Sequence, residues 1–99
     1  MPRFHAYQNP EGEGCLLDLQ ANLLSHLNTR VVVPLLPLAS APTPAKVLNP
    51  VFEIDGTPHL MATQFIATVP RHMLHKEVGD LSDRMHLIVG ALDCLFQGV

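Results

Sequence analysis

The sequence has no tryptophan, one tyrosine, four phenylalanines and only two cysteines in 99 residues. Cys15 and Cys94 stand far apart with no apolar leader before them, which excludes a disulfide framework and a cysteine-based zinc site and leaves two buried free thiols as the expectation. Charge is also scarce: six Lys plus Arg against nine Asp plus Glu give a net charge of −3. A nucleic-acid binder concentrates basic residues to displace phosphate counterions, so direct binding to DNA or RNA is disfavoured. No apolar run is long enough to cross a membrane. The longest uncharged stretch, Val31 to Ala45, contains Pro34, Pro37, Pro42 and Pro44 and falls short of the roughly 20 clean apolar residues of a spanning helix. Nothing at the N-terminus resembles a signal peptide, and a cytoplasmic protein is expected.

What is present is apolar: 47% of residues against 15% charged, a balance that drives collapse rather than disorder. A chain of this length buries about 60 to 65% of its unfolded surface, enough for one domain over residues 1–99. Phe4 to Gln8 alternates weakly, Asn9 to Gly14 supplies turn residues, and Cys15 to Leu19 resumes an apolar run, the pattern of a hairpin with an acidic loop. Leu23, Leu24 and Leu27 fit either a short helix or a turn-rich connection. Val31 to Val33 is the clearest strand, since β-branched residues favour the pleated backbone, and Pro34 and Pro37 are expected to end its pairing or place it at an edge. Val51 to Ile54 precedes Asp55-Gly56, a strong two-residue hairpin signal. Thr57 to Thr68 supplies the return strand or strands, stopping at Pro70, and Arg71 to Gly79 is polar without a defined element.

The period then changes. Leu81, Met85, Ile88, Leu92 and Leu95 recur at three- and four-residue steps, with Val89 and Phe96 widening one face of an amphipathic helix. Ser82 is the expected N-cap, Gly98 the left-handed residue after the last turn, and Gly90 a point of close packing against a strand. Strands followed by a terminal helix predict an α+β, mainly β domain with a barrel-like antiparallel sheet.

Catalytic patterns are thin. His72 and His75 beside Glu77 lack a third ligand at metal spacing, and a solvated polar segment accounts for them. No serine or cysteine sits in a nucleophile elbow. A metal-free ribonuclease built on Arg30, Arg71 or Arg84 is permitted but not suggested, and surface pairing with Glu77, Asp80 or Asp83 is the ordinary explanation for Arg30 and Arg84. The apolar end, Leu95 to Val99, either folds back on the core or forms a docking surface.

Several segments, in order and spacing, carry a resemblance. They are Leu17-Asp18-Leu19-Gln20 with Leu23-Leu24, Thr29-Arg30-Val31-Val32-Val33-Pro34-Leu35, Asn49-Pro50-Val51-Phe52-Glu53-Ile54, Met61-Ala62-Thr63, Ala67-Thr68-Val69-Pro70, Glu77 to Arg84, and Phe96-Gln97-Gly98-Val99. The chain resembles the CcdB family of bacterial toxins nearly end to end. The resemblance implies an SH3-like barrel sheet with one C-terminal helix, a homodimer, no catalysis and no cofactor. It further implies binding to the A subunit of DNA gyrase with trapping of the cleaved-DNA complex, and neutralisation by a cognate CcdA-like antitoxin whose disordered segment orders on binding. By position, gyrase contact falls on Leu23, Leu24, Asp93, Gln97, Gly98 and Val99. The acidic hairpin loop at Glu11, Gly12 and Glu13 is a candidate antitoxin contact. Gln97 stands where the family pattern has tryptophan, and Asp93 where it has an amide. Two alternatives accompany this reading: an attenuated homologue that keeps antitoxin binding, and an endoribonuclease toxin on the same barrel.

Overall fold

The computed structural model describes residues 2–99. Strands β1 (His5–Gln8), β2 (Cys15–Asp18), β3 (Thr29–Pro37), β4 (Val51–Ile54), β5 (Thr57–Met61), β6 (Ala67–Pro70) and β7 (Glu77–Asp80) precede one helix, α1 (Met85–Gln97). They form one antiparallel sheet in the order β4-β5-β3-β2-β1-β7, with β6 also paired to β3. The sheet curls into a half-barrel over α1, the expected α+β, mainly β class.

Two-residue alternation sorts the central strands. Cys15, Leu17 and Leu19 with Val31, Val33 and Leu35 line the face that α1 covers, where Ile88 and Ala91 are buried among them and Val89 and Leu92 pack alongside. Leu16 and Val32 turn to the opposite face with Tyr7 and are covered by Leu74, Met73 and Val69. Both faces of β2 and β3 are therefore closed, which explains why their sequences read as nearly continuous apolar runs.

Pro34 does not end the pairing of β3, whereas Pro37 does, as the sequence suggests. β3 continues through Pro34, opposite Leu16, and ends at Pro37, opposite His59. Within an antiparallel strand a residue's N–H and C=O point to the same side. Pro34 C=O accepts from Ala62 N–H at 2.9 Å, so its missing donor faces the break between β5 and β6 and costs no ladder bond. The Asp55-Gly56 turn forms as expected: Ile54 pairs with Thr57 and both loop residues have positive φ, 51° and 78°, the primed geometry that matches strand twist.

The β1–β2 hairpin turns on Gly14, with φ +83° and a virtual Cβ only 2.2 Å from Leu35 O. Gly14→Ala is expected to destabilise by at least about 2 kcal/mol, combining a left-handed penalty with a backbone clash. Urea unfolding measures this, and a loss below about 0.5 kcal/mol would contradict it. Phe4, which the alternation placed within the strand, instead takes φ 68° just before it. This bend lets Phe4 N–H donate to Asp18 O at 2.7 Å and its C=O accept from Leu81 N–H at 2.9 Å.

The polar stretch after Pro70 yields a strand that the sequence concealed. β7 pairs with β1 across a register shift between Ala6 and Tyr7, and this irregularity in a four-residue strand erases the period-two signal. The helix start also differs: Ser82 to Arg84 form a 3-10 turn and Ser82 makes no side-chain cap. Asp80 takes over, its carboxylate accepting Ser82 N–H at 2.9 Å. Hydrogen bonds from the Ser82 hydroxyl and N–H, then the nearby His5, hold the Asp80 carboxyl below its usual range. With the folded value depressed, this contribution is full above pH about 4 and disappears as pH falls through the lowered folded value. Asp80→Asn is expected to flatten that acid limb in chemical denaturation across pH; an unchanged limb would refute the assignment.

Gly90 does not pack against a strand. A Cβ there would meet nothing within 4 Å, so the core does not require a small residue at that position. Gly98 does end the helix, at φ 71° with its N–H bonded to Cys94 O at 3.1 Å.

Candidate functional site

The first predicted contact segment, Leu23 and Leu24, lies on a 3-10 turn, Asn22–Leu24, after β2. The turn is tethered by polar groups rather than by a core. Arg3 N–H donates to Asn22 Oδ1 at 2.9 Å, and Gln20 Nε2 donates to Leu24 O at 2.9 Å. Gln20 Oε1 in turn accepts Val31 N–H at 3.1 Å. Main-chain anchoring leaves the side chains free: Leu23 is 87% and Leu24 43% exposed.

Below this turn lies a buried ion pair whose arginine the sequence pattern assigns to the surface. Arg30 does not pair with Glu77, Asp80 or Asp83; it is fully buried, and its Nε and Nη2 reach Asp18 Oδ2 at 3.1 and 2.5 Å. Asp18 Oδ1 accepts Gln20 N–H at 3.0 Å. Alternation carried the missed signal. Asp18 pairs opposite Val32, and Arg30, two residues earlier on β3, shares that face. A lone carboxylate and a lone guanidinium on one face of two apolar strands are driven together by desolvation.

The second segment is the end of α1. Asp93 is half-buried, and Gln97, Gly98 and Val99 are exposed. The open choice at the chain end resolves against folding back, because Phe96 is 67% and Val99 78% exposed. Phe96 and Met85, read as members of the buried helix face, lie on the outside, since the groove of the curled sheet takes Ile88 and Ala91 with Val89 and Leu92 alongside.

The third segment, Glu11, Gly12 and Glu13, is the exposed tip of the β1–β2 hairpin. Glu13 accepts the Ser40 hydroxyl at 2.7 Å, and Glu11 N–H donates to Asn9 Oδ1 at 3.0 Å. The first bond ties the tip to the proline-rich connection after β3.

Reactive groups do not converge. Burial, then Asp55, pushes the Cys15 thiol upward, which suppresses the thiolate a nucleophile requires. Cys15 is buried and free; Cys94 is free but only partly buried. His72 and His75 are exposed around a 3-10 turn rather than on one face of a helix. Among the described residues no group of three His, Cys, Asp or Glu is placed to hold a metal, and no helix is long and apolar enough to cross a membrane.

The antiparallel half-barrel thus carries exposed leucines on a polar-tethered turn and exposed apolar side chains at the end of α1. The family model described as CcdB protein matches residues 3–98. The chain belongs to the CcdB family. Toxins of that family poison gyrase without catalysis, so the protein is not an enzyme.

Proposed function

We propose that the protein is the toxin of a bacterial toxin–antitoxin module, acting in the cytoplasm as a single domain over residues 1–99. It binds the A subunit of DNA gyrase, traps the cleaved-DNA complex, and is neutralised by a cognate CcdA-like antitoxin. One observation carries this reading beyond family membership: the residues assigned to gyrase contact include the two most solvent-exposed large apolar side chains among the described residues, Leu23 at 87% and Val99 at 78%. Burying an aliphatic side chain contributes about 1.5 to 3 kcal/mol, so such residues supply affinity only when a partner covers them. Leu24, Asp93, Gln97 and Gly98 complete the proposed contact, and Glu11, Gly12 and Glu13 contact the antitoxin. Exposed Phe65, Met85 and Leu87 support a homodimer that buries the outer side of α1.

A poison needs differential affinity for one state of its target, here the cleaved state. The test incubates purified toxin with gyrase from its host, supercoiled plasmid and ATP, followed by detergent and protease. Linear DNA is expected with the wild type and not after deletion of Gly98 and Val99. No linear DNA at micromolar intact dimer would shift the reading to the attenuated homologue, which Gln97 at the usual tryptophan position favours. RNA cleavage without added metal would favour the ribonuclease.

A further inference from the structure

The half-barrel leaves a seam. β4 and β7 are the two ends of the paired order, yet they approach each other: Ile54 Cδ1 lies 3.2 Å from where a Cβ would stand on Gly79. On either side of that contact the seam opens into clefts of about 430 and 250 Å³. The larger is lined by Ile54, Asp55, His59, Lys76 and Val78, the smaller by Phe52, Glu53, Asp80, Asp83 and Arg84.

The free edges present hydrogen-bonding groups to this seam. In a two-residue hairpin the residues flanking the loop, here Ile54 and Thr57, exchange both backbone bonds. Alternation then directs Phe52 toward β5 and turns the N–H and C=O of Val51 and Glu53 outward. Pro50 C=O, which accepts Met61 N–H at 2.9 Å, fits the same phase. On β7, Leu81 N–H is committed to Phe4 O, so the preceding Asp80 backbone faces out.

A largely buried side chain also lines the larger cleft. His59 is 7% exposed, and its Nδ1 lies 2.8 Å from Thr57 O. A carbonyl only accepts, so Nδ1 carries a proton, and in the neutral imidazole Nε2 is the acceptor. Nε2 makes no hydrogen bond with the described residues and is open to solvent through the larger cleft that the ring lines. The rim is acidic: Glu53, Asp55, Asp80 and Asp83 against Lys76 and Arg84. Glu53, Asp55 and Asp83 form no ion pair among the described residues.

We propose that the seam docks an extended polypeptide segment alternating basic and small apolar residues, added as a strand to the free edge of β4. Its backbone pairs with Val51 and Glu53, one donor meets His59 Nε2, basic side chains lie over the acidic rim, and apolar ones cover the Ile54 and Val78 floor. A second copy of this chain at the seam would set the acidic rim against itself, which disfavours that occupant. Strand addition at this edge does not depend on gyrase binding.

The test uses the full-length protein and a fluorescein-labelled peptide alternating lysine and valine. Control peptides carry glutamate for lysine, or a central proline that forbids strand addition. Anisotropy is expected to show the lysine peptide binding at least about tenfold tighter than either control, and more weakly as salt rises. NMR shifts are expected at the Val51 and Glu53 amides and at His59 Nε2. Glu53→Gln with Asp83→Asn, both at exposed positions, is expected to weaken binding about fivefold or more. Equal binding of the proline peptide would reduce the effect to unspecific charge attraction and overturn the proposal. Absence of binding at millimolar peptide, or shifts confined to other faces, would overturn it equally.

Discussion

Arg30→Met is expected to cost about 3 to 5 kcal/mol, because it strands a buried carboxylate. Asp18 is fully buried and has two kinds of partner, the Arg30 guanidinium on Oδ2 and Gln20 N–H on Oδ1. Removing the guanidinium leaves the charge where water cannot reach it, and one N–H does not compensate. At about 4 to 8 °C per kcal/mol for a domain of this size, the melting temperature is expected to fall by at least about 12 °C. Calorimetry and urea unfolding measure both quantities. The double variant, Asp18→Leu with Arg30→Met, separates the pair's net worth from the cost of breaking it. It is expected to recover most of the loss, since apolar replacements of a buried ion pair are often neutral or better. A single variant losing under about 1 kcal/mol would mean that water or a local shift relieves Asp18.

The consequence reaches the proposed gyrase contact. Gln20 receives its backbone position from Asp18 and passes it on through Leu24 O and Val31 N–H. The exposed leucine turn therefore rests on the buried pair, with Gln20 as the link between them. The stable double variant is accordingly expected to form less trapped DNA than wild type at equal folded concentration. Equal trapping would show that the turn is set by Arg3 and Asn22 alone.

Local chemistry was readable wherever one residue's preference decided the outcome. Asp55-Gly56 forms its hairpin because positive φ at both positions selects those residues, and Gly98 ends α1 for the same reason. The apolar face of α1 was legible by period, but its extent was not. Periodicity counts apolar side chains, whereas burial depends on the width of the curled sheet, which accommodates Ile88 and Ala91 and leaves Met85 and Phe96 outside. Pro34 misled because propensity knows a missing donor only as a loss, and the fold turns that position toward a gap between two partners. Arg30 misled because charge implies surface until a partner is found across strands. The proposed contact residues come from resemblance: no pattern in Leu23-Leu24 or Gln97-Gly98-Val99 distinguishes a docking surface from an ordinary turn and helix end, and their exposure in the fold is the physical observation that supports them.

Gln97→Trp addresses a position in the proposed gyrase contact at which the family resemblance implies a tryptophan. Gln97 is exposed, closes the last turn of α1 and precedes the left-handed Gly98, so a larger side chain meets no core and stability should change by less than about 0.5 kcal/mol. An aromatic anchor filling a pocket on a partner contributes about 2 to 4 kcal/mol, which corresponds to a roughly 30- to 1,000-fold change in affinity. The toxin concentration giving half-maximal linear DNA is therefore expected to fall by at least about 30-fold in the variant. Most of that change should appear as slower dissociation, because an apolar ring adds little to electrostatic encounter. Asp93→Asn provides the complementary test: removing a half-buried negative charge one helical turn before Gln97 is expected to strengthen contact more modestly and chiefly at low salt. If Gln97→Trp weakens trapping while Asp93→Asn has no effect, this chain's end is fitted to a pocket that rejects the family's aromatic. Gln97 would then be a specificity determinant for its own gyrase rather than a lost anchor.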